Sequence, residues 1–247
     1  MSSNIVTSLK TFLPLGVILS IISIIGEKFS AVPYSSPDFV FEFAPYLLLM
    51  ACCSVVYWFA FLKNTVSIRD STRKPEYKLT GFLLSLVVIS IILLITTSKE
   101  SLDLNALLKI IGITVLVGIN EEFAFRLVGY KNFLSKGLGI KKSILLSSIL
   151  FSLFHLTNLA GGVGLSILFQ LMNTFMMGVV IAFLYYQTGR ILVPIAFHAL
   201  WDTLFLATKN VFSTSPYMPW VTFVLLIISF GSFGYVVFKI QKLQEKI

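Results

Sequence analysis

Apolar residues fill most of this chain in runs of about 16 to 26 residues, separated by short polar connections. About 20 mostly apolar residues are needed for a helix to cross the hydrocarbon core of a bilayer. The pattern therefore predicts an all-α fold, a polytopic membrane protein with about eight transmembrane helices. The predicted segments are 11–26, 43–62, 79–98, 105–130, 143–158, 165–187, 190–208 and 217–238.

Composition agrees with this pattern. The chain is 57% hydrophobic and 12% charged, whereas soluble domains are about 25% charged. The connections are too short to hold a soluble domain, and the sequence contains no internal repeat. We therefore expect residues 1–247 to form a single membrane domain, surrounded by membrane lipids.

The net charge of +8 is explained by topology. Fourteen of the 19 Lys and Arg residues lie at the N-terminus, in loops 63–78 and 131–142, at Arg190 and in the C-terminal tail. Only three lie in the alternate connections. Because cytoplasmic loops carry the excess of basic residues, this split predicts that both termini are cytoplasmic. No basic surface is left over for a nucleic acid, so we exclude that class of partner.

Charged residues inside the apolar segments need a separate explanation. Eight of the eleven acids, Glu27 among them, are assigned to connections or to the tail. The other three are Glu121, Glu122 and Asp202, and the only two histidines, His155 and His198, also lie in predicted helices. At about 1.5 Å per residue, all five sit between about 12 and 20 Å from the cytoplasmic face. Intramembrane ionisable groups are costly and mark functional sites, so we expect three helices to bring them together.

Spacing suggests a role for each group. Glu122 and Arg126 are four residues apart and can pair on one helix face. Glu121 is rotated by about 100° from Glu122 and lacks that partner, which makes it a candidate general base. His198 and Asp202 are also four residues apart, so Asp202 could orient the imidazole or share a ligand with it. The structural alternatives are a helix–helix hydrogen bond for either histidine and a purely structural Glu122–Arg126 pair.

Three short stretches resemble the motifs of the CPBP family, the CAAX proteases and bacteriocin-processing enzymes. E-E-F-A-F-R at 121–126 is similar to E-E-x-x-x-R, and F-S-L-F-H at 151–155 is similar to F-x-x-x-H. H-A-L-W-D at 198–202 is similar to H-x-x-x-N, or to the H-x-x-x-D of many bacterial members. The resemblance covers about residues 105–208, which would be the catalytic core.

The resemblance implies an intramembrane endopeptidase that cleaves near the cytoplasmic face. Glu121 and His155 would activate the attacking water, and His198 and Asp202 would face the developing oxyanion. Glu122 and Arg126 would hold the glutamate helix in place. Asp202 stands where the prenyl-protease branch has asparagine, and an ionised carboxylate cannot donate a hydrogen bond to an oxyanion.

A metal ion is left open by the sequence. Glu121, His155 and His198 could supply three ligands to a divalent ion such as zinc and leave the fourth position free. The chain has no H-E-x-x-H motif, and a water activated by the carboxylate alone is equally compatible.

The expected substrate is a membrane-associated peptide or protein: a CAAX-type tail, a peptide pheromone or a bacteriocin precursor. The short loops and Asp202 favour a bacterial cell membrane. Two other functions remain open, a non-catalytic membrane immunity or scaffold protein of the same fold and a proton-coupled transporter. The absence of internal sequence repeats argues against the transporter.

Overall fold

Eight helical stretches make up the fold in a computed structural model that describes residues 2–34, 36, 38–70, 74–97, 103–212 and 215–243. Within these ranges there is no β-strand, only an isolated bridge between Arg69 and Arg190. The predicted all-α fold class is confirmed. The helices are α1 (Ser2–Phe29), α2 (Phe39–Leu62), α3 (Lys78–Thr97), α4 (Leu104–Ser135), α5 (Ile140–Gly161), α6 (Gly164–Thr188), α7 (Leu192–Asn210) and α8 (Met218–Gln241).

Over the described residues, seven of these helices are long and apolar enough to cross a membrane, and α7 offers a shorter apolar stretch, Leu192–Thr208. Their outward faces carry large apolar side chains, such as Leu165 at 85% exposure and Phe169 at 74%. Such faces suit lipid rather than water, so the chain is an integral membrane protein. The end of the predicted third segment, residue 98, and the tail beyond residue 243 lie outside the described residues.

One boundary differs in a way that matters for the site. The first predicted segment ends at residue 26, but α1 continues to Phe29 because no glycine pair or proline interrupts its last turn. Glu27 therefore lies on a helix and is only 6% exposed. The prediction that Glu27 is a loop acid is wrong.

The connections gather at two ends of the bundle. At one end, which we call the basic end, loop 63–70 meets the turn after α6: the Asp70 amide donates to the Gly189 carbonyl at 2.7 Å, and the Ile191 amide to that of Ile68 at 3.1 Å. At the opposite end, the amide of Tyr34 donates to the Gly161 carbonyl at 3.4 Å. This is the arrangement expected when successive helices alternate in direction.

Small residues bring the helices of the core close together. A Cβ atom at Gly118 of α4 would lie 2.9 Å from the Ile195 carbonyl oxygen of α7. One at Gly178 of α6 would lie 3.2 Å from the Ser148 Cα of α5. Close backbone approach of this kind is typical of membrane helix interfaces. It places the middle of α4 directly against α7.

Two of the three motif-bearing helices change geometry at the motif. Helix α4 becomes π-helical over Phe123–Lys131, directly after Glu122. Helix α5 tightens into a 3₁₀-helix over His155–Gly161, beginning at the histidine. Such irregular turns are frequent at functional sites because they redirect side chains.

Candidate active site

His198 of α7 lies between the two adjacent glutamates of α4. Its Nδ1 is 2.8 Å from Glu122 Oε1, and its Nε2 is 3.4 Å from Glu121 Oε2. An ionised carboxylate only accepts hydrogen bonds, so Nδ1 carries the hydrogen that is donated to Glu122. The other ring nitrogen, Nε2, is left facing Glu121.

Asp202 approaches the same nitrogen from one turn further along α7. Its Oδ2 is 3.6 Å from His198 Nε2, beyond hydrogen-bond distance, and its side chain is 26% exposed. The hydrogen bond that orients the ring therefore comes from Glu122 and not from Asp202. The physical reason is Gly118, which lets α4 approach α7 closely enough for a glutamate to reach Nδ1.

The pair of Glu122 and Arg126 is present, with Nε 3.0 Å from Oε2 and both side chains fully buried. The angle does not meet that of a hydrogen bond, so the contact is mainly electrostatic. The guanidinium carbon also lies 4.8 Å from the centre of the Phe151 ring. No other described carboxylate forms an ion pair with Arg126, which makes its charge dependent on Glu122.

His155 ends the regular part of α5. Its Nδ1 is 2.9 Å from the Phe151 carbonyl oxygen, so this nitrogen carries a hydrogen and Nε2 is the acceptor. The Phe151 ring meets the His155 ring edge-on at 5.0 Å and the His198 ring at 5.9 Å. Phe151 thus separates and supports the two imidazoles. No role was predicted for Phe151 from the sequence, although it is the phenylalanine of F-S-L-F-H, one turn before His155.

A cavity of about 720 Å³ joins these groups. Four predicted site residues line it: Glu121, His155, His198 and Asp202. The exposed side chains of Phe169 and Phe205 also line it, so it reaches the outer surface between α6 and α7.

From the motif residues the cavity extends towards the end of the bundle opposite the basic end. Its described lining includes Tyr34 and Ser36 from the first connection and Val163 from the turn after α5. The connections of the basic end contribute none of the described lining residues. The depth of the ionisable groups in the membrane, nearer the cytoplasmic face, stays a prediction from the residue counts.

The predicted metal ligands do not form a metal-binding group. Within the described ranges, no three His, Cys, Asp or Glu side chains are arranged to hold a metal ion, and the trio of Glu121, His155 and His198 is no exception. Nδ1 is engaged in both histidines, by a backbone carbonyl in His155 and by Glu122 in His198, so only their Nε2 atoms are available to a ligand. As arranged, these side chains do not fit a metal ion, and they support a reaction carried out by side chains and water.

Residues 103–204 match the family described as type II CAAX prenyl endopeptidase Rce1-like. The matched range contains all three motifs and nearly coincides with the predicted core of 105–208. No curated protein matches the chain. The match supports a membrane protease in general. It also agrees with the resemblance found in the motifs, since all three motifs lie within the matched residues.

Proposed function

We propose that this protein is an intramembrane endopeptidase that hydrolyses a peptide bond with a water molecule activated by Glu121 and His155. The observation that carries the proposal is the convergence of Glu121, His155 and His198 on one cavity between membrane helices. Glu121 and His198 are 9% and 6% exposed, with 3.4 Å between their facing atoms. Buried acids and imidazoles in such contact are suited to proton transfer.

Each side chain would take one part of the hydrolysis. Glu121 accepts a proton from the water as its oxygen bonds to the carbonyl carbon of the peptide. His155 Nε2, the acceptor nitrogen, orients the same water. When the tetrahedral intermediate collapses, the carbon–nitrogen bond breaks and Glu121 returns the proton to the leaving amine. One hydrogen of the water ends on the amine and the other on the new carboxyl group, so Glu121 returns to its starting state.

His198 would act on the oxyanion. Glu122 fixes the ring through Nδ1, so Nε2 is held at one position near Glu121 and Asp202. A hydrogen on Nε2 can be donated to the developing negative charge on the substrate oxygen. Glu122 and Arg126 support this geometry and do not contact the reacting atoms.

The substrate class we propose is a membrane-associated peptide or protein, such as a CAAX-type tail, a peptide pheromone or a bacteriocin precursor. The cavity supports it: its opening between α6 and α7 is flanked by exposed phenylalanines, where a lipid-anchored chain can enter. Membrane lipids and this peptide are the partners we propose.

The decisive test is Glu121→Gln, which removes the base and keeps the shape. We expect it to reduce the rate of cleavage of membrane-anchored peptides by about 10⁴-fold, while protein abundance stays near that of the wild type. The assay is run with and without a chelator, and with zinc added back. Cleavage that survives Glu121→Gln would disprove the proposal. Loss of activity to the chelator, restored by zinc, would instead assign the water to a metal.

We also propose that both termini face the cytoplasm of a bacterial cell, because the basic loops gather at the end that holds them. Reporter domains fused after Lys74 and after Lys142 should read as cytoplasmic, and one inserted at Gly162 as external. The reverse pattern would mean that the protein has the opposite orientation in the membrane, with the geometry of the site unchanged.

A further inference from the structure

A second polar cluster lines the cavity away from the motif residues, and we call it the loop-end cluster. It consists of Glu27, Tyr34, Asn158 and Gln170. None of these residues belongs to the three motifs, and the proposed hydrolysis does not use them. Glu27 and Tyr34 also lie outside the family match of residues 103–204.

The amides and the phenol of this cluster are arranged around one oxygen. Asn158 Nδ2 donates to the Tyr34 hydroxyl oxygen at 3.1 Å, and Gln170 Nε2 donates to it at 2.9 Å. Because that oxygen accepts both bonds, the hydroxyl hydrogen is left to donate elsewhere. Burial raises the pKa of Tyr34 to about 12, so the phenol keeps this hydrogen at neutral pH.

Two acceptor oxygens of the cluster have no hydrogen-bond partner among the described residues. Glu27 is only 6% exposed, and its Oε2 is buried with no hydrogen-bond partner among the described residues. The carbonyl oxygen of the Gln170 side chain is in the same condition. A buried carboxylate without a partner is costly, and native structures keep one where something else compensates it.

The rest of the cavity wall favours a positive ligand. The described lining residues include three acids and two histidines, but no lysine or arginine. Aromatic rings line the same cavity as Glu27: Tyr34 lies 5.0 Å from Phe39, and Phe39 stacks on Phe43 at 5.3 Å. Carboxylates and aromatic faces together bind ammonium and guanidinium groups, and a cavity lined by one sign of charge attracts the opposite sign.

We propose that the loop-end cluster binds a cationic group of the peptide substrate, the ammonium of a lysine or of an N-terminus or the guanidinium of an arginine. This rests on the proposed function, since the bound group would belong to the peptide that Glu121 cleaves. Glu27 receives the charge, Gln170 Oε1 accepts a second hydrogen bond, and the Tyr34 hydroxyl donates to a neighbouring carbonyl. Substrate choice would thus be set by residues outside the three motifs.

Binding is measured first, so that its result does not depend on cleavage. The protein with Glu121→Gln is placed in nanodiscs of neutral phosphatidylcholine. It is titrated with fluorescent acylated peptides in which one lysine, or a matched glutamine, moves along the sequence. At one position we expect the lysine peptide to bind at least about tenfold more tightly. Adding Glu27→Gln should remove that preference.

Two further variants separate recognition from folding. Glu42, which is exposed at the same end of the bundle and does not line the cavity, supplies the control Glu42→Gln, and it should keep the preference. At Gly161 a Cβ atom would overlap the Glu27 carboxylate. Gly161→Ala should therefore weaken the preference, whereas Gly112→Ala, which meets nothing within 4 Å, should not.

Melting temperature distinguishes a binding residue from a structural one. Removing an unpartnered buried carboxylate should leave the melting temperature of Glu27→Gln equal to or above that of the wild type. A lower melting temperature together with an unchanged lysine preference would overturn the proposal, as would equal affinity for lysine and glutamine at every position. If the wild type binds lysine peptides selectively but cleaves none, the subsite stands and the proposed hydrolysis fails.

Discussion

The two ends of the cavity differ in how their buried charges are compensated. At the motif end, Glu122 contacts both His198 and Arg126, and Glu121 faces His198. At the loop end, Glu27 is buried to a similar degree, but its Oε2 has no partner within the described ranges. Glu121 and Glu27 line the same cavity and are 7% and 6% exposed, so the difference between them is not one of solvent access.

The motif end and the loop end of the cavity use a buried charge in different ways. Leaving one member of a buried pair alone costs several kcal/mol, so paired charges hold their helices in one arrangement. An unpaired charge does the opposite: it costs stability in the free protein and gains a partner only when a ligand arrives. We infer that the motif end is preorganised and that the charge of the loop end is compensated only when substrate binds.

The largest effect on stability is expected from Glu122→Gln. The amide can still accept the hydrogen bond from His198 Nδ1, but it leaves Arg126 fully buried without a countercharge. We expect a loss of about 3–5 kcal/mol in the free energy of unfolding, the cost of breaking a buried pair. Denaturant titration in detergent measures it, with Glu121→Gln as the companion variant that should stay near wild-type stability.

A double variant tests whether the uncompensated charge of Arg126 causes the loss of stability. Removing the cation as well, with Glu122→Gln and Arg126→Met, should recover much of the lost stability, because the uncompensated charge is then gone. A Glu122→Gln protein as stable as the wild type, beside an unstable Glu121→Gln protein, would show that the two glutamates have exchanged roles.

The fold could be predicted from the sequence because apolar runs separated by basic loops leave few arrangements in a bilayer. All eight predicted segments correspond to helices. The boundaries were less accurate: α1 and α4 extend beyond their apolar cores, to Phe29 and Ser135. Polar residues at the end of a membrane helix can continue its backbone hydrogen bonding although the apolar run has ended. Hydropathy alone therefore does not locate the last residue of such a helix.

The site could be predicted only in part. Ionisable groups are costly inside a membrane, so Glu121, His155, His198 and Asp202 could be predicted as site residues from the sequence. The structure places all four on one cavity. Their partners depend on how close the helices come. Gly118 sets that distance for α4 and α7, and no spacing rule within a single helix could show that Glu122 reaches His198. Glu27 was missed because it lies one residue beyond the apolar run.

Asp202 lies between the two ends of the cavity and belongs fully to neither. Its Oδ2 is 3.6 Å from His198 Nε2, yet its side chain is partly exposed in the cavity. If it supports the oxyanion, Asp202→Asn should keep substantial activity, since asparagine can both accept and donate. Asp202→Ala should lose about 10²-fold in kcat, as when an oxyanion donor is removed. Both are measured at matched protein levels on lysine and glutamine peptides. Loss of only the lysine preference in Asp202→Asn would assign this carboxylate to the loop end, and near-wild-type activity of both variants would remove it from the site.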